Sequence, residues 1–414
     1  MLAIIVIILL IDIYTFKGVK LLSNNISSQK LKTIIFTGFW IITGVFILAL
    51  IIAFNVRPTE RNAKIFSNYS FLAGLLILFY IPKIFFLIFH FTEDLSKLIS
   101  LLINKLIPKE PSIRSQNADK ISRYKFLSQA GLILAAIPFI LITYGMIKGR
   151  FNFRLSYENL KFNNLPKSFN GLKIVHISDI HIGSFYGFQK KVKEAIDLIN
   201  AQEPDLILFT GDLVNIFTEE LDGWLPILKK MKARIGKYSI LGNHDYGDYY
   251  NWESDEAKKD NLNRLILAYK EIGFHLLLNE SVTIAQNGQK IAIIGVENWG
   301  YPPFAQYGDF SKAHEEVKNI PFKILLSHDP SHWDAEIMGK TNVDLTLSGH
   351  THGMQFGIKI AGIKWSPIKL KYPRWGGLYQ ENNQFLYVNT GLGYIGFPGR
   401  VGIPPEITVI KLVN

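Results

Sequence analysis

Hydrophobic and polar positions divide the chain into two unlike parts. Over roughly the first 150 residues the apolar positions form long runs. Residues 1–16 are apolar but for Asp12. Residues 33–54 and 126–147 carry no charge, and residues 69–91 are interrupted at Pro82-Lys83. A helix crossing a bilayer needs about 20 apolar residues, so the pattern predicts four spans, the third kinked. The first run is short enough for a signal peptide. It lacks a basic leading segment and a small-residue cleavage site, which favours a retained span.

Past residue 171 the runs shorten. Residues 172–178, 205–210, 238–241, 291–296, 323–326, 344–347, 385–389 and 407–412 read as strands. Residues 189–202 and 255–272 read as helices, the second plainly amphipathic. Such alternation, with the late strands closely spaced, predicts two packed sheets flanked by helices, an α/β sandwich. The organisation is then a transmembrane region at 1–147, a linker at 148–171 and a catalytic domain at 172–414. Turn chemistry at Asn163-Asn164-Leu165-Pro166 supports the linker.

Composition changes this picture in two places. The chain has no Cys, which excludes disulfides and Cys-ligated metal sites. Its formal charge of +11 could suggest nucleic acid, but many Lys and Arg flank the apolar runs, as at a membrane surface. No nucleic-acid partner is expected. Lys17, Lys20, Lys30 and Lys32 follow the first span. Lys97, Lys105, Lys109, Arg114, Lys120, Arg123 and Lys125 follow the third, against Arg57, Arg61 and Lys64 after the second. By the positive-inside rule the catalytic domain faces outward, although Lys148, Arg150 and Arg154 argue the other way.

Five strand ends carry the chemistry. They read Asp179-Ile180-His181, Gly211-Asp212, Gly242-Asn243-His244-Asp245, Ser327-His328-Asp329 and Gly349-His350-Thr351-His352. Ligands bind outside the ends of strands in open α/β sheets. Asp179 and His181 share one face of an extended segment, and His350 and His352 repeat that spacing. With Asp212, Asn243 and His328 they make seven candidate ligands. Mixed imidazole, carboxylate and amide donors suit Mn²⁺, Fe and Zn²⁺ better than an all-oxygen Mg²⁺ cage. His244 is left free as a general acid or a transition-state stabiliser. Asp245 is expected to orient a neighbouring imidazole, and Asp329 to do likewise or to cap a helix. His90, His176, His275, His314 and His332 are read as structural or solvated. Arg374 and Arg400 are candidate phosphate clamps. Aromatic loops (Tyr246, Tyr249, Tyr250, Trp252; Trp299, Tyr301, Phe304, Tyr307; Tyr394, Phe397) are candidates for an apolar rim or plain packing.

These five segments, in type, order and spacing, resemble the calcineurin-like metallophosphoesterases over residues 172–412. Gly353-Met354-Gln355, the stretch from Tyr372 to Tyr379, Val388 to Gly393 and Gly402 to Ile407 narrow the resemblance to the membrane-associated YkuE- and LpxG-like branch. The resemblance implies a four-layer α-β-β-α sandwich behind an N-terminal bundle of about four transmembrane helices. It also implies that Asp179, His181 and His352 bind one metal, and Asn243, His328 and His350 a second. Asp212 bridges the two and His244 assists the leaving group.

The expected protein is therefore a multi-pass membrane phosphoesterase with two divalent ions, Mn²⁺ favoured. Its partners would be the bilayer and a lipid-linked phosphorylated substrate, of UDP-2,3-diacylglucosamine or phospholipid type. The alternatives are an exported phosphodiesterase of cell-envelope polymers and a non-catalytic membrane sensor.

Overall fold

The computed structural model describes residues 2–55, 63–106, 120–360 and 363–414. Arg57, Arg61, Lys109 and Arg114, which enter the charge argument above, lie outside them. Two units emerge, one of apolar helices and one of mixed α/β structure.

The helical unit holds α1 (Leu2–Ser23), α2 (Gln29–Asn55) and most of α3 (Ala63–Leu106) and α4 (Lys120–Ile147). All four are long and apolar enough to cross a membrane. The third exceeds expectation. It continues through Pro82 for 44 residues, or about 66 Å, against a hydrocarbon core of about 30 Å. Asp94 and Lys97 end the apolar run but not the helix, since charged side chains are tolerated where a helix leaves the bilayer. One polar cluster is buried among these helices. Asp12 is fully buried and accepts hydrogen bonds from Thr43 Oγ1 at 2.5 Å, Tyr80 OH at 2.9 Å and Lys83 Nζ at 2.5 Å. These four residues join α1, α2 and α3, satisfying a carboxylate that lipid could not.

The α/β unit has strands β1 (Arg154–Lys161), β2 (Lys173–Ile177), β3 (Leu206–Phe209), β4 (Gly236–Ser239), β5 (His275–Leu276), β6 (Glu280–Gln286) and β7 (Gln289–Gly295). They are followed by β8 (Lys323–Leu326), β9 (Leu345–Ser348), β10 (Ile358–Ile360), β11 (Ile363–Trp365), β12 (Gly377–Glu381), β13 (Gln384–Val388) and β14 (Glu406–Val413). One six-stranded sheet has the order β1-β14-β2-β3-β4-β5 and the other β12-β13-β9-β8-β7-β6. β10 and β11 form a separate hairpin.

Alternation along the strands builds the layers. Ile174, Leu206, Leu208, Ile324, Leu326, Leu345 and Leu347 point into a core between the two sheets. Their neighbours Val175, Ile207 and Phe209 turn outward to helices, as does Leu325 from the second sheet. Burial on both faces explains why these strands read as unbroken apolar runs. Against the first sheet lie α5 (Gln189–Asn200), the short α6 (Leu225–Leu228) and α7 (Asp255–Ile272). Against the second lie α8 (Phe310–His314) and the turn Trp333–Ile337. The result is the expected four-layer α-β-β-α sandwich. α7 is sharply bounded: Ser254 accepts from Ala257 N–H, and Gly273 closes the helix at φ 92°.

The linker expectation needs correction. Arg154–Lys161 is a strand of the sandwich, paired in parallel with β14 along its whole length. Its alternating polar residues conceal an edge strand whose partner is far away in sequence.

Candidate metal centre

All five motif segments leave the carboxyl ends of parallel strands. β2, β3 and β4 are parallel neighbours in one sheet, and β8 and β9 in the other. The backbone turns abruptly there. Asp179, His181, Asp212, His350 and His352 all have positive φ, between 47° and 70°. Asp and His tolerate this left-handed region better than most residues, but each such residue still costs on the order of 1–3 kcal/mol. Five together mark a site whose geometry the surrounding fold imposes. Close approach explains two of the glycines. A Cβ on Gly242 would lie 2.2 Å from Asp212 Oδ1, and one on Gly349 would lie 1.9 Å from Ser178 Oγ.

The seven candidate ligands converge in two groups. His181 Nε2 lies 3.1 Å from His352 Nε2, and His352 Nε2 lies 3.2 Å from Asp179 Oδ1. Across the site, Asn243 Oδ1 lies 3.0 Å from His328 Nε2 and 2.8 Å from His350 Nδ1. Asp212 stands between the groups: its Oδ2 is 3.5 Å from His181 Nε2 and 3.3 Å from His328 Nε2. Imidazole nitrogens so close to one another, beside buried carboxylates, are a donor set that fits cations.

Electrostatics agree. Burial pushes Asp179 and Asp212 up, but the surrounding imidazoles outweigh it and hold both carboxyls below their ordinary value. Burial holds His181 down. For His328 burial also acts downward, yet Asp212 beside it wins and lifts it to about 10. A divalent cation must displace that proton, so its binding is linked to proton release.

Surrounding groups orient the ligands. His328 Nδ1 donates to the Thr210 carbonyl at 2.6 Å, leaving Nε2 for the centre. His350 Nε2 meets Tyr372 OH at 2.9 Å and Asp329 Oδ2 at 3.4 Å, leaving Nδ1 inward. Asp329 Oδ1 also accepts from Ser331 N–H, so it fills both roles expected of it. His244 Nδ1 donates to the Asn215 carbonyl, and its ring is partly open to solvent.

Three expectations are corrected. Asp245 orients no imidazole. Its carboxylate accepts N–H groups of Asp212, Leu213, Val214 and Gly242 and the Tyr269 hydroxyl, fixing the loop that carries Asp212. Arg400 is no phosphate clamp. It is buried and donates to carbonyls of His352, Thr390, Gly391 and Gly393, stapling the loops behind the site. Arg374 is held by Asp334 and Glu381 and covers Trp333. The aromatic loops divide. Tyr249 bonds Asn243 and packs on His244, Phe304 packs on His350, and Tyr301 and Tyr307 are exposed. Tyr246, Tyr394 and Phe397 are buried packing. Tyr269 and the Asn215 carbonyl had no sequence signal, since each reaches the site only through folding.

The chain matches known protein families. Residues 172–354 match the family described as "Calcineurin-like phosphoesterase", and residues 1–150 match "Probable Calcineurin-like phosphoesterase, transmembrane domain". The metallophosphoesterase YkuE of Bacillus subtilis (strain 168) is 35% identical over 62% of this chain and 84% of its own length. The chain belongs to the calcineurin-like metallophosphoesterases. A Campylobacter jejuni metallophosphoesterase is 26% identical over 92% of both chains. A bovine transmembrane protein with a metallophosphoesterase domain is 31% identical over 60% of this chain, which spans about half (55%) of that relative. This metallophosphoesterase is thus a membrane-associated, metal-dependent phosphoester hydrolase with a multi-pass helical front end.

Proposed function

We propose that the protein uses two divalent ions to hydrolyse a phosphodiester or pyrophosphate bond in a lipid-linked substrate. Asp179, His181 and His352 would hold one ion and Asn243, His328 and His350 the other, with Asp212 placed between the two groups. The observation that carries this reading is Asp212 Oδ2, within 3.5 Å of His181 and 3.3 Å of His328, one from each group. Two such ions would supply nucleophile activation and charge neutralisation for in-line displacement, and mixed N and O donors suit Mn²⁺, Fe or Zn²⁺.

The chain's own groups do the rest. The Asn215 carbonyl keeps one proton on His244 Nδ1, so a second proton taken up at Nε2, giving the imidazolium, is the one passed to the leaving oxygen. Asp245 holds the Asp212 loop rigid, so little reorganisation is needed on substrate binding. Exposed Tyr249, Tyr301 and Tyr307 form an apolar rim suited to acyl chains, and the helical front end concentrates the enzyme at lipid.

UDP-2,3-diacylglucosamine is the leading substrate, and it requires a cytoplasmic catalytic unit. The loop charges favour the outside, where a phospholipid or envelope polymer fits better. A reporter fused after Asn414 separates the two. The direct test is hydrolysis of UDP-2,3-diacylglucosamine by the detergent-purified full chain with Mn²⁺, followed by phosphorus NMR, with Asp212→Ala as blank. Release of UMP and the lipid 1-phosphate by the wild type alone is expected. Turnover of an aryl phosphodiester without it would keep the chemistry and overturn this substrate.

A further inference from the structure

The hairpin β10–β11 has its polarity reversed for a protein surface in water. Paired strand residues share a face, and successive ones alternate. Ile358 pairs with Trp365, and Ile360 lies on the same face as Ile358; Lys359 pairs with Lys364 on the other. In water the apolar face should turn inward. Instead Ile358, Ile360 and Trp365 are 49%, 70% and 45% exposed. Lys364 reaches back, its ammonium 4.8 Å above the Trp375 ring and donating to the Gly376 carbonyl. The turn that follows exposes Leu370 to 90%, between the exposed Lys369 and Lys371.

We propose that this hairpin and the Leu370 turn form a second membrane contact, docking on the anionic headgroup surface of the bilayer. Ile360, Trp365 and Leu370 would sit at the acyl boundary, where aromatic and aliphatic side chains are stable. Lys369 and Lys371 would meet lipid phosphates beside them. The same charges disfavour a second copy of the chain as the occupant, because a self-paired patch sets lysines against lysines. A bilayer is also at hand, since α4 is long and apolar enough to cross one and only Lys148–Phe153 connect it to β1.

Docking here would bring the metal centre to the lipid surface. Ser366 Oγ, just after β11, donates to the Gly353 carbonyl at 2.7 Å, next to His352. Lys371 Nζ lies 4.8 Å above Phe304 and 5.4 Å above Tyr372, whose rings both contact His350. The inference requires a bilayer but not a lipid substrate, so it stands or falls apart from the substrate reading above.

The absence of Cys permits a clean test. Ile360→Cys, Leu370→Cys and, as control, Leu267→Cys (64% exposed on α7) would each carry an environment-sensitive fluorophore on the full chain. Each variant would be placed in single-copy nanodiscs of phosphatidylcholine, alone or mixed with phosphatidylglycerol, containing nitroxide-labelled lipid. Turnover of a soluble aryl phosphodiester checks that each variant is folded. The expected result is several-fold stronger quenching at 360 and 370 than at 267. That quenching should rise with phosphatidylglycerol and fall when Lys369 and Lys371 are both changed to Glu. Quenching at 360 and 370 equal to that at 267 would overturn the proposal. So would quenching indifferent to lipid charge. Shielding seen only in concentrated detergent solution would assign the face to a second copy and overturn it too.

Discussion

The His244 imidazole donates through Nδ1 to the backbone carbonyl of Asn215 at 2.8 Å. A carbonyl only accepts, so this bond settles the tautomer of the neutral ring and leaves Nε2 facing away. Burial, the largest influence, lowers the imidazole from its ordinary value, against the nearby Asp212 carboxylate.

The first prediction follows. His244→Asn keeps a donor near Nδ1 but removes Nε2, and should lower kcat on alkyl phosphodiesters by about 10²–10⁴-fold. On p-nitrophenyl esters, whose leaving group needs no proton, the loss should be much smaller. Equal losses on both substrates would remove His244 from leaving-group protonation. Metal content should stay at the wild-type level.

Metal binding should report directly on stability, because the converging carboxylates and imidazoles exist as a site only in the folded chain. Restoring Mn²⁺ to chelator-treated protein at about 100 times its Kd should add about 2.7 kcal/mol per site, seen as a rise in Tm. Asp212→Ala removes the oxygen shared by both groups and should abolish most of that rise. An unchanged shift in the variant would separate Asp212 from metal binding.

Glu220 offers a pH test away from the metal ligands. Its buried carboxyl accepts N–H groups of Asn215, Ile216 and Phe217, yet burial outweighs them and pushes it up to about 7. The native state then keeps a proton that the unfolded chain releases near pH 4.5. The stabilisation is complete below about pH 4.5 and is lost as pH rises through about 7, by about 3 kcal/mol in all. Glu220→Gln cannot ionise, so its urea unfolding should differ less between about pH 5 and about pH 8 than that of the wild type. A variant that loses more stability at the higher pH would show that the N–H donors hold the carboxylate charged.

In the helical unit, the Asp12–Lys83 contact predicts strong non-additivity. Asp12→Ala leaves the mostly buried Lys83 without its counter-charge and should cost about 3 kcal/mol in detergent unfolding. Adding Lys83→Met should recover much of that loss. Equal stability of the single and double variants would show that the two charges do not depend on each other.

Much of the sandwich could be read from the chain because its strands are buried on both faces. Runs such as Leu206–Phe209 then lack polar interruptions and stand out. β1 was hidden for the opposite reason. As an edge strand it alternates exposed and half-buried residues, and its partner β14 lies at the far end of the chain. The Ile358–Trp365 hairpin was missed because strands of three residues give no period to detect. The residues of the metal centre could be picked out individually, but Asp245 and Arg400 were given the wrong partners. Most of their partners are backbone groups, which carry no sequence identity.

The sequence by itself determined which chemical groups stand at the strand ends. That information is local: an apolar run ends, and an Asp, Asn or His follows in a turn it can adopt. Only the tertiary structure decided how those groups meet. Asp179 and Asp212 leave one sheet, His328 and His350 the other, and their convergence depends on how the two sheets stack across the core of Ile174, Leu206 and Ile324. Packing likewise chose which nitrogen His328, His350 and His244 turn inward, because the opposite nitrogen is taken by Thr210, Tyr372 and Asn215. It also buried Arg400 behind the loops, where its charge is spent on carbonyls rather than on phosphate.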